Sequence, residues 1–186
     1  HWLPLACNSY LDPCYEELSK HFGNQVDLTR EWDTCFVGFL NKGVKDDERS
    51  HDRVAFLDRM FREFPNSWLT FNCFFEQAAV RYVKARVGLN VSIRQDLNMR
   101  FFECLSYGVP QLCNIDMVGW KELGFEEGVH FVGWGTVDEA VEKARRLLSD
   151  IERREEIAAA GFRMVRSGHT YEHRVRELLG VCFPSL

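Results

Sequence analysis

The sequence predicts an α/β fold with an open, doubly wound parallel sheet and helices on both faces. Two observations carry this. Short apolar runs alternate with longer stretches at helical period along most of the chain, as repeated βαβ units require. The composition is that of an ordinary globular domain, 46% apolar and 27% charged over 186 residues, enough for one sizeable core.

The elements follow in order. Thr34–Phe39 (TCFVGF) reads as a buried strand, followed by a polar loop over residues 41–50. A helix is predicted over His51–Phe64, with Val54, Leu57, Met60, Phe61 and Phe64 on one face, and Pro65 ends it. Trp68–Phe71 is a second strand, Phe75–Arg86 a helix and Gly88–Ile93 (GLNVSI) a third strand. A helix over Asn98–Tyr107 stops at Gly108 and Pro110. Strands over Pro110–Ile115 and Val129–Trp134 come next. The clearest helix is Val137–Ser149, where Thr136 and Glu139 form a capping-box pattern. Two helices, about Ile151–Arg166 and Tyr171–Leu179, close the chain. Residues 1–32 lack alternation and read as a linker or remnant of a preceding domain, 33–180 as the domain proper and 181–186 as a tail. An opening residue of His1 is read as the start of a fragment of a longer protein.

Charge and cysteine usage narrow the function. With 28 acidic and 23 basic residues the net charge is -5, which argues against general nucleic-acid binding. No run approaches the roughly 18 apolar residues of a membrane span. Seven cysteines, an odd number with no CxxC pair, fit free thiols in a reducing, cytoplasmic setting. No DxD pair suggests a metal clamp, and no G-x-S-x-G elbow suggests a serine nucleophile.

Open sheets of this class bind ligands beyond the C-terminal ends of their strands, so the chemistry is sought in the loops there. Gly38-Phe39-Leu40-Asn41-Lys42-Gly43 follows the first strand. It reads either as a turn where amides and Lys42 approach a phosphate, or as a strand exit with a solvated lysine. Asp96-Leu97-Asn98-Met99-Arg100-Phe101-Phe102-Glu103 enters a helix. Asn98 and Arg100 at its N-terminus suit a pyrophosphate, and Glu103, three residues beyond Arg100, suits a ribose diol. The plainer reading is an Arg100–Glu103 surface ion pair. His169 and His173, four apart, could share a metal, but no third ligand is apparent, and local packing or hydrogen bonding accounts for His169. A receiver-like regulatory domain would need an acidic cluster at the strand ends, whereas Asp33 stands before its strand and Asp116 stands alone.

Several stretches in this order resemble the C-terminal domain of the CgeB-like glycosyltransferases, a branch of the group 1 (GT-B) glycosyltransferases. They are WLPLACNSYLD (2–12), DTCFVGFL (33–40), RVGLNVS (86–92), NMRFFECLSYGVPQL (98–112) and HTYEHRVRELL (169–179). The resemblance implies a Rossmann-like half that binds a nucleotide-diphosphate sugar for metal-independent, hexosyltransferase-like transfer, without a further cofactor. It implies that Gly38 lies near the donor diphosphate with Lys42 as helper. Asn98 and Arg100 would line diphosphate and sugar, and Glu103 would hold the ribose. The acceptor and the general base would come from a missing N-terminal domain, so no catalytic residue is named in this chain. Many relatives carry E-x7-E, and Gln95 stands where their first glutamate contacts the sugar. Asp96-Leu97-Asn98 replaces the small glycine-rich turn beside it. The alternative is a GT-B-like module that keeps nucleotide binding or a scaffold role and has lost its chemistry.

Overall fold

A computed structural model describes residues 3–7, 29–38, 48–71, 73 and 75–183. Among the described residues five strands form one parallel sheet: β1 (Trp32–Val37), β2 (Ser67–Thr70), β3 (Ala85–Asn90), β4 (Gln111–Asn114) and β5 (Val132–Trp134). Their order is β2-β1-β3-β4-β5, and every pairing is parallel. The helices among the described residues are α1 (Glu48–Glu63), α2 (Phe75–Val83), α3 (Met99–Ser106), α4 (Val137–Ser149), α5 (Ile151–Gly168) and α6 (Tyr171–Cys182). This is the doubly wound, Rossmann-like α/β class expected from the alternation.

Side chains leave the strands on alternate faces and so build two cores. On one face Phe36, Val87, Leu89, Leu112 and Val132 meet Phe56, Leu57 and Met60 of α1 and Ala140, Val141 and Ala144 of α4. On the other, Cys35 and Val37 pack with Ala78, Ala79 and Tyr82 of α2 and Cys104 of α3. Phe101, Phe102 and Leu105 of α3 continue that side with Cys113, Phe125, Phe131 and Val165. Parallel sheets covered on both faces need such near-continuous apolar strands.

Most boundaries shift by a few residues from the sequence reading, and three of the shifts have a plain physical reason. Helix α2 stops at Val83, and β3 starts at Ala85, not Gly88. Ala-Arg favours a helix locally, but β1 needs a partner along its whole length. Trp32 pairs with Ala85 and Thr34 with Val87, and Ala85 is fully buried. Strand β5 begins at Val132, because Val129 lies in a turn and is 43% exposed. The buried stripe of α1 is also rotated: Val54 faces solvent and Arg53 is buried in its place. The cap of α4 forms as read, with Thr136 Oγ1 accepting from the Glu139 amide, while the Glu139 carboxylate accepts from the Gly135 amide at 2.8 Å.

The segment 3–7 lies against the junction of α5 and α6. The Cys7 amide donates to the His169 carbonyl at 3.0 Å and the Tyr171 amide to the Cys7 carbonyl at 2.9 Å. The six described cysteines are free. Among the described residues no helix is long and apolar enough to cross a membrane.

Candidate functional site

The chain leaves β1 towards β2 and leaves β3 towards β4, in opposite directions across the sheet. A crevice opens at such a switch point, beyond the carboxyl ends of the two strands. Helix α3 begins here. Asn98 is its N-cap, its side-chain oxygen accepting from the Phe101 amide at 3.1 Å. The Asn98 amide also pairs in both directions with Asn90, the last residue of β3, at 3.1 and 3.2 Å. Asn90 is fully buried, so this pairing satisfies a polar group that would otherwise be costly.

Arg100 lies across the crevice. Its Nε donates to the Val37 carbonyl at 2.5 Å and its Nη1 to Asn90 Oδ1 at 3.1 Å, and its guanidinium stands 4.7 Å from the Phe36 ring centroid. Gly38 makes this possible. A Cβ there would collide with Arg100 Nη2 and come within 2.9 Å of Phe36 Cζ. The structure therefore brings Gly38, Asn98 and Arg100 into one constellation, whereas Lys42 lies outside the described residues.

Arg53 joins them from α1, donating through Nε and Nη2 to the Val91 carbonyl. Burial, and then the neighbouring Arg100 guanidinium, lower its pKa from 12.5 to about 10. It stays charged at neutral pH, so two guanidinium groups share the end of β3. Sequence reading missed both Arg53 and Asn90. Asn90 left a signal, a polar residue closing an apolar strand. Arg53 left none, since an arginine beside an apolar stripe is ordinary on a surface helix.

Glu103 follows one turn along α3. Among the described residues its carboxylate forms no ion pair with Arg100, which is engaged with β1 and β3 instead. Desolvation raises the Glu103 pKa, and the Arg100 charge pulls the other way. The result is a half-buried acceptor beside a cationic crevice. Gln95, with the positive backbone φ of 58°, directs its amide to Asp116, Nε2 to Oδ2 being 3.0 Å.

The histidine pair is absorbed by local bonds. His169 Nδ1 meets Arg174 Nη2 at 2.7 Å, and His173 Nδ1 meets Thr170 Oγ1 at 2.6 Å. Among the described residues no group of three or more His, Cys, Asp or Glu side chains is arranged to hold a metal.

Residues 57–180 match a family model described as glycosyl transferase-like. No curated protein matches the chain in sequence. Solved structures match the fold at low identity. Sucrose-phosphate synthase from Thermosynechococcus elongatus superposes with a TM-score of 0.63 at 13% identity, covering 97% of this chain and 51% of that one. The C-terminal domain of a group 1 glycosyl transferase from Francisella tularensis gives 0.54 at 11%, covering 86% and 96%. The pneumococcal O-GlcNAc transferase, solved with UDP and GlcNAc, gives 0.53 at 11%, covering 95% and 44%. The chain thus spans about half the length of the synthase and nearly all of the excised C-terminal domain.

Proposed function

The chain belongs to the glycosyl transferase-like family, and on that premise we propose that it is the donor-binding half of a group 1 transferase. It would bind a nucleotide-diphosphate sugar for hexosyl transfer. The observation that carries this is Arg100 laid over Gly38 at the switch point, with Arg53 behind it and the N-terminus of α3 beside it. Fixed positive charge of this kind stabilises a departing diphosphate without a metal. Arg100 would contact the diphosphate, with Lys42 as helper. Asn98 would set the start of α3 and hold Asn90, and Glu103 would accept from the ribose hydroxyls. The CgeB-like branch is the subfamily that the sequence resembles, and the acceptor and general base would come from a preceding N-terminal domain. The pneumococcal neighbour, bound to UDP and GlcNAc, supports a uridine nucleotide as the first ligand to test.

The test is calorimetric titration with uridine, UDP, GDP, ADP and CMP, with and without magnesium, for the wild type and Arg100→Ala. Arg100→Ala is expected to weaken binding of the nucleoside diphosphate at least tenfold, about 1.4 kcal/mol, and to leave uridine binding nearly unchanged. Equal loss for nucleoside and diphosphate would refute the assignment. The second reading, a nucleotide-binding module without transfer chemistry, is favoured by the Gln95 amide being committed to Asp116. Transfer assays on the chain joined to its N-terminal domain separate the two.

A further inference from the structure

Three segments far apart in the sequence meet beside the start of α3. Residues 3–5, Asp96-Leu97 and the loop 118–122 enclose a hollow of about 540 Å³, a size that small-molecule sites have. Leu3, Leu5, Leu97 and Val118 line it, together with two carboxylates, Asp96 and Glu122. Among the described residues no lysine or arginine lines it. Leu97 immediately precedes Asn98, the N-cap of α3, so the hollow adjoins the helix start that flanks the arginine crevice. We propose that this hollow holds the apolar body of the acceptor, and that the acceptor is therefore an amphipathic molecule, neutral or cationic, that presents its nucleophile at the start of α3. The ligand's role rests on the donor-binding reading, and its chemistry on the hollow alone.

Three observations support it. First, the walls are tied to fixed structure. The Pro4 carbonyl accepts from Arg174 Nε at 3.1 Å, and Cys7 bonds through its amide and carbonyl to His169 and Tyr171. These bonds hold residues 3–7 against the α5–α6 junction. The Val118 amide donates to the Gln95 carbonyl at 2.8 Å, joining the loop 118–122 to the residue before Asp96. Gln95 keeps that bond from a left-handed backbone, φ 58°, a strained conformation of the kind found at ligand clamps. A preformed pocket has little ordering cost on binding. Second, apolar surface is left at solvent around it. Leu3 is 39% exposed, Leu5 44% and Val118 65%, while Leu97 is buried. Apolar side chains gathered on one hollow, not scattered singly, mark a binding site. Third, charge selects the ligand. Ser92 Oγ donates to Asp96 Oδ1 at 2.5 Å, and the Asp96 charge also reaches Arg53. Glu122 is exposed and forms no ion pair among the described residues. An anion would meet carboxylates and no cation here, whereas an ammonium or hydroxyl would find an acceptor. A preceding domain would still supply the general base and the rest of the acceptor's contacts.

The experiment is calorimetry on the full chain with 1-octanol, octanoate, octylamine, hexylamine and butylamine as probes, alongside UDP and GDP. Amine affinity is expected to rise about fourfold per methylene, as burial of alkyl surface predicts. Octylamine is expected to bind about tenfold more tightly than octanoate at low salt, and Glu122→Gln to lose most of that preference. Val118→Asp alters an exposed side chain, so its Tm and its UDP affinity should match the wild type while 1-octanol affinity falls about tenfold. Octylamine should still bind when UDP is saturating, because donor and acceptor occupy the enzyme together. Octanoate binding as tightly as octylamine, unchanged 1-octanol affinity in Val118→Asp, or mutual exclusion of octylamine and UDP would each overturn the proposal. So would loss of all probe binding in the chain joined to its N-terminal domain, since that domain would then fill the hollow. If UDP or GDP binds and no probe does, the hollow is refuted and the donor reading stands. If the probes bind in the expected order and neither diphosphate does, the donor reading fails and the acceptor role falls with it.

Discussion

The placement of Arg100 depends on the absence of a side chain at residue 38, and Gly38→Ala tests that dependence directly. The added methyl would collide with Arg100 Nη2 and would crowd Phe36 Cζ, 2.9 Å away. The guanidinium is the more flexible of the two, so it leaves. It then loses its bonds to the Val37 carbonyl and Asn90 Oδ1, and its stacking on Phe36. Hydrogen bonds from a charged donor contribute about 1.5 kcal/mol each at the low end, and an exposed cation–π contact adds roughly 0.5 kcal/mol. Partial exposure of Arg100 lowers the total, so a loss of roughly 2–3 kcal/mol is expected. For a chain of this length that corresponds to a Tm lower by roughly 5–10 °C. Nucleoside diphosphate affinity should fall with it, at least tenfold. Thermal melts and calorimetry are run on Gly38→Ala, Arg100→Ala and the double variant. If the effect acts through Arg100, the double variant should be little worse than Arg100→Ala, because residues in contact do not add. An unchanged Tm for Gly38→Ala, or fully additive losses, would refute the reasoning.

Two further outcomes are expected away from the crevice. Burial, followed by the charges of Arg174 and His173, lowers the His169 pKa from 6.5 to about 4. The unfolded chain therefore takes up a proton between those values while the folded chain does not, so this contribution to stability is complete above pH 6.5 and declines as pH falls towards 4. By pH 5 the decline amounts to roughly 2 kcal/mol. Urea denaturation of the wild type and His169→Gln at pH 7.5 and pH 5 checks this, and parallel shifts in both proteins would contradict it. Helix α5 closes on the turn before β5 at Gly161, where a Cβ would stand 2.6 Å from the His130 carbonyl oxygen and 2.9 Å from Leu105 Cδ2. Gly161→Ala should cost about 1–3 kcal/mol by overpacking. Gly168→Ala, with nothing within 4 Å, should be close to neutral in the same urea titrations.

Local pattern carried much of this molecule. Strand and helix differ in period, two against 3.6, so Val137–Ser149 with its Thr136 cap and the run from Asn98 to Tyr107 could be read from neighbouring residues alone. The α/β class followed from their alternation, and Gly38, Asn98, Arg100 and Glu103 stood out by residue type at the ends of strands. Local pattern stopped where a residue's partner lies far along the chain. Ala85 and Arg86 favour a helix by themselves, and only pairing with β1 makes them strand. Arg100 reaches a carbonyl 63 residues away, and Arg53 one 38 residues away. Gln95 and Asp116 meet only because β4 lies beside β3. Strand order and polar partnership are set by which buried surfaces fit together across the sheet, and they emerge only when the whole chain has packed.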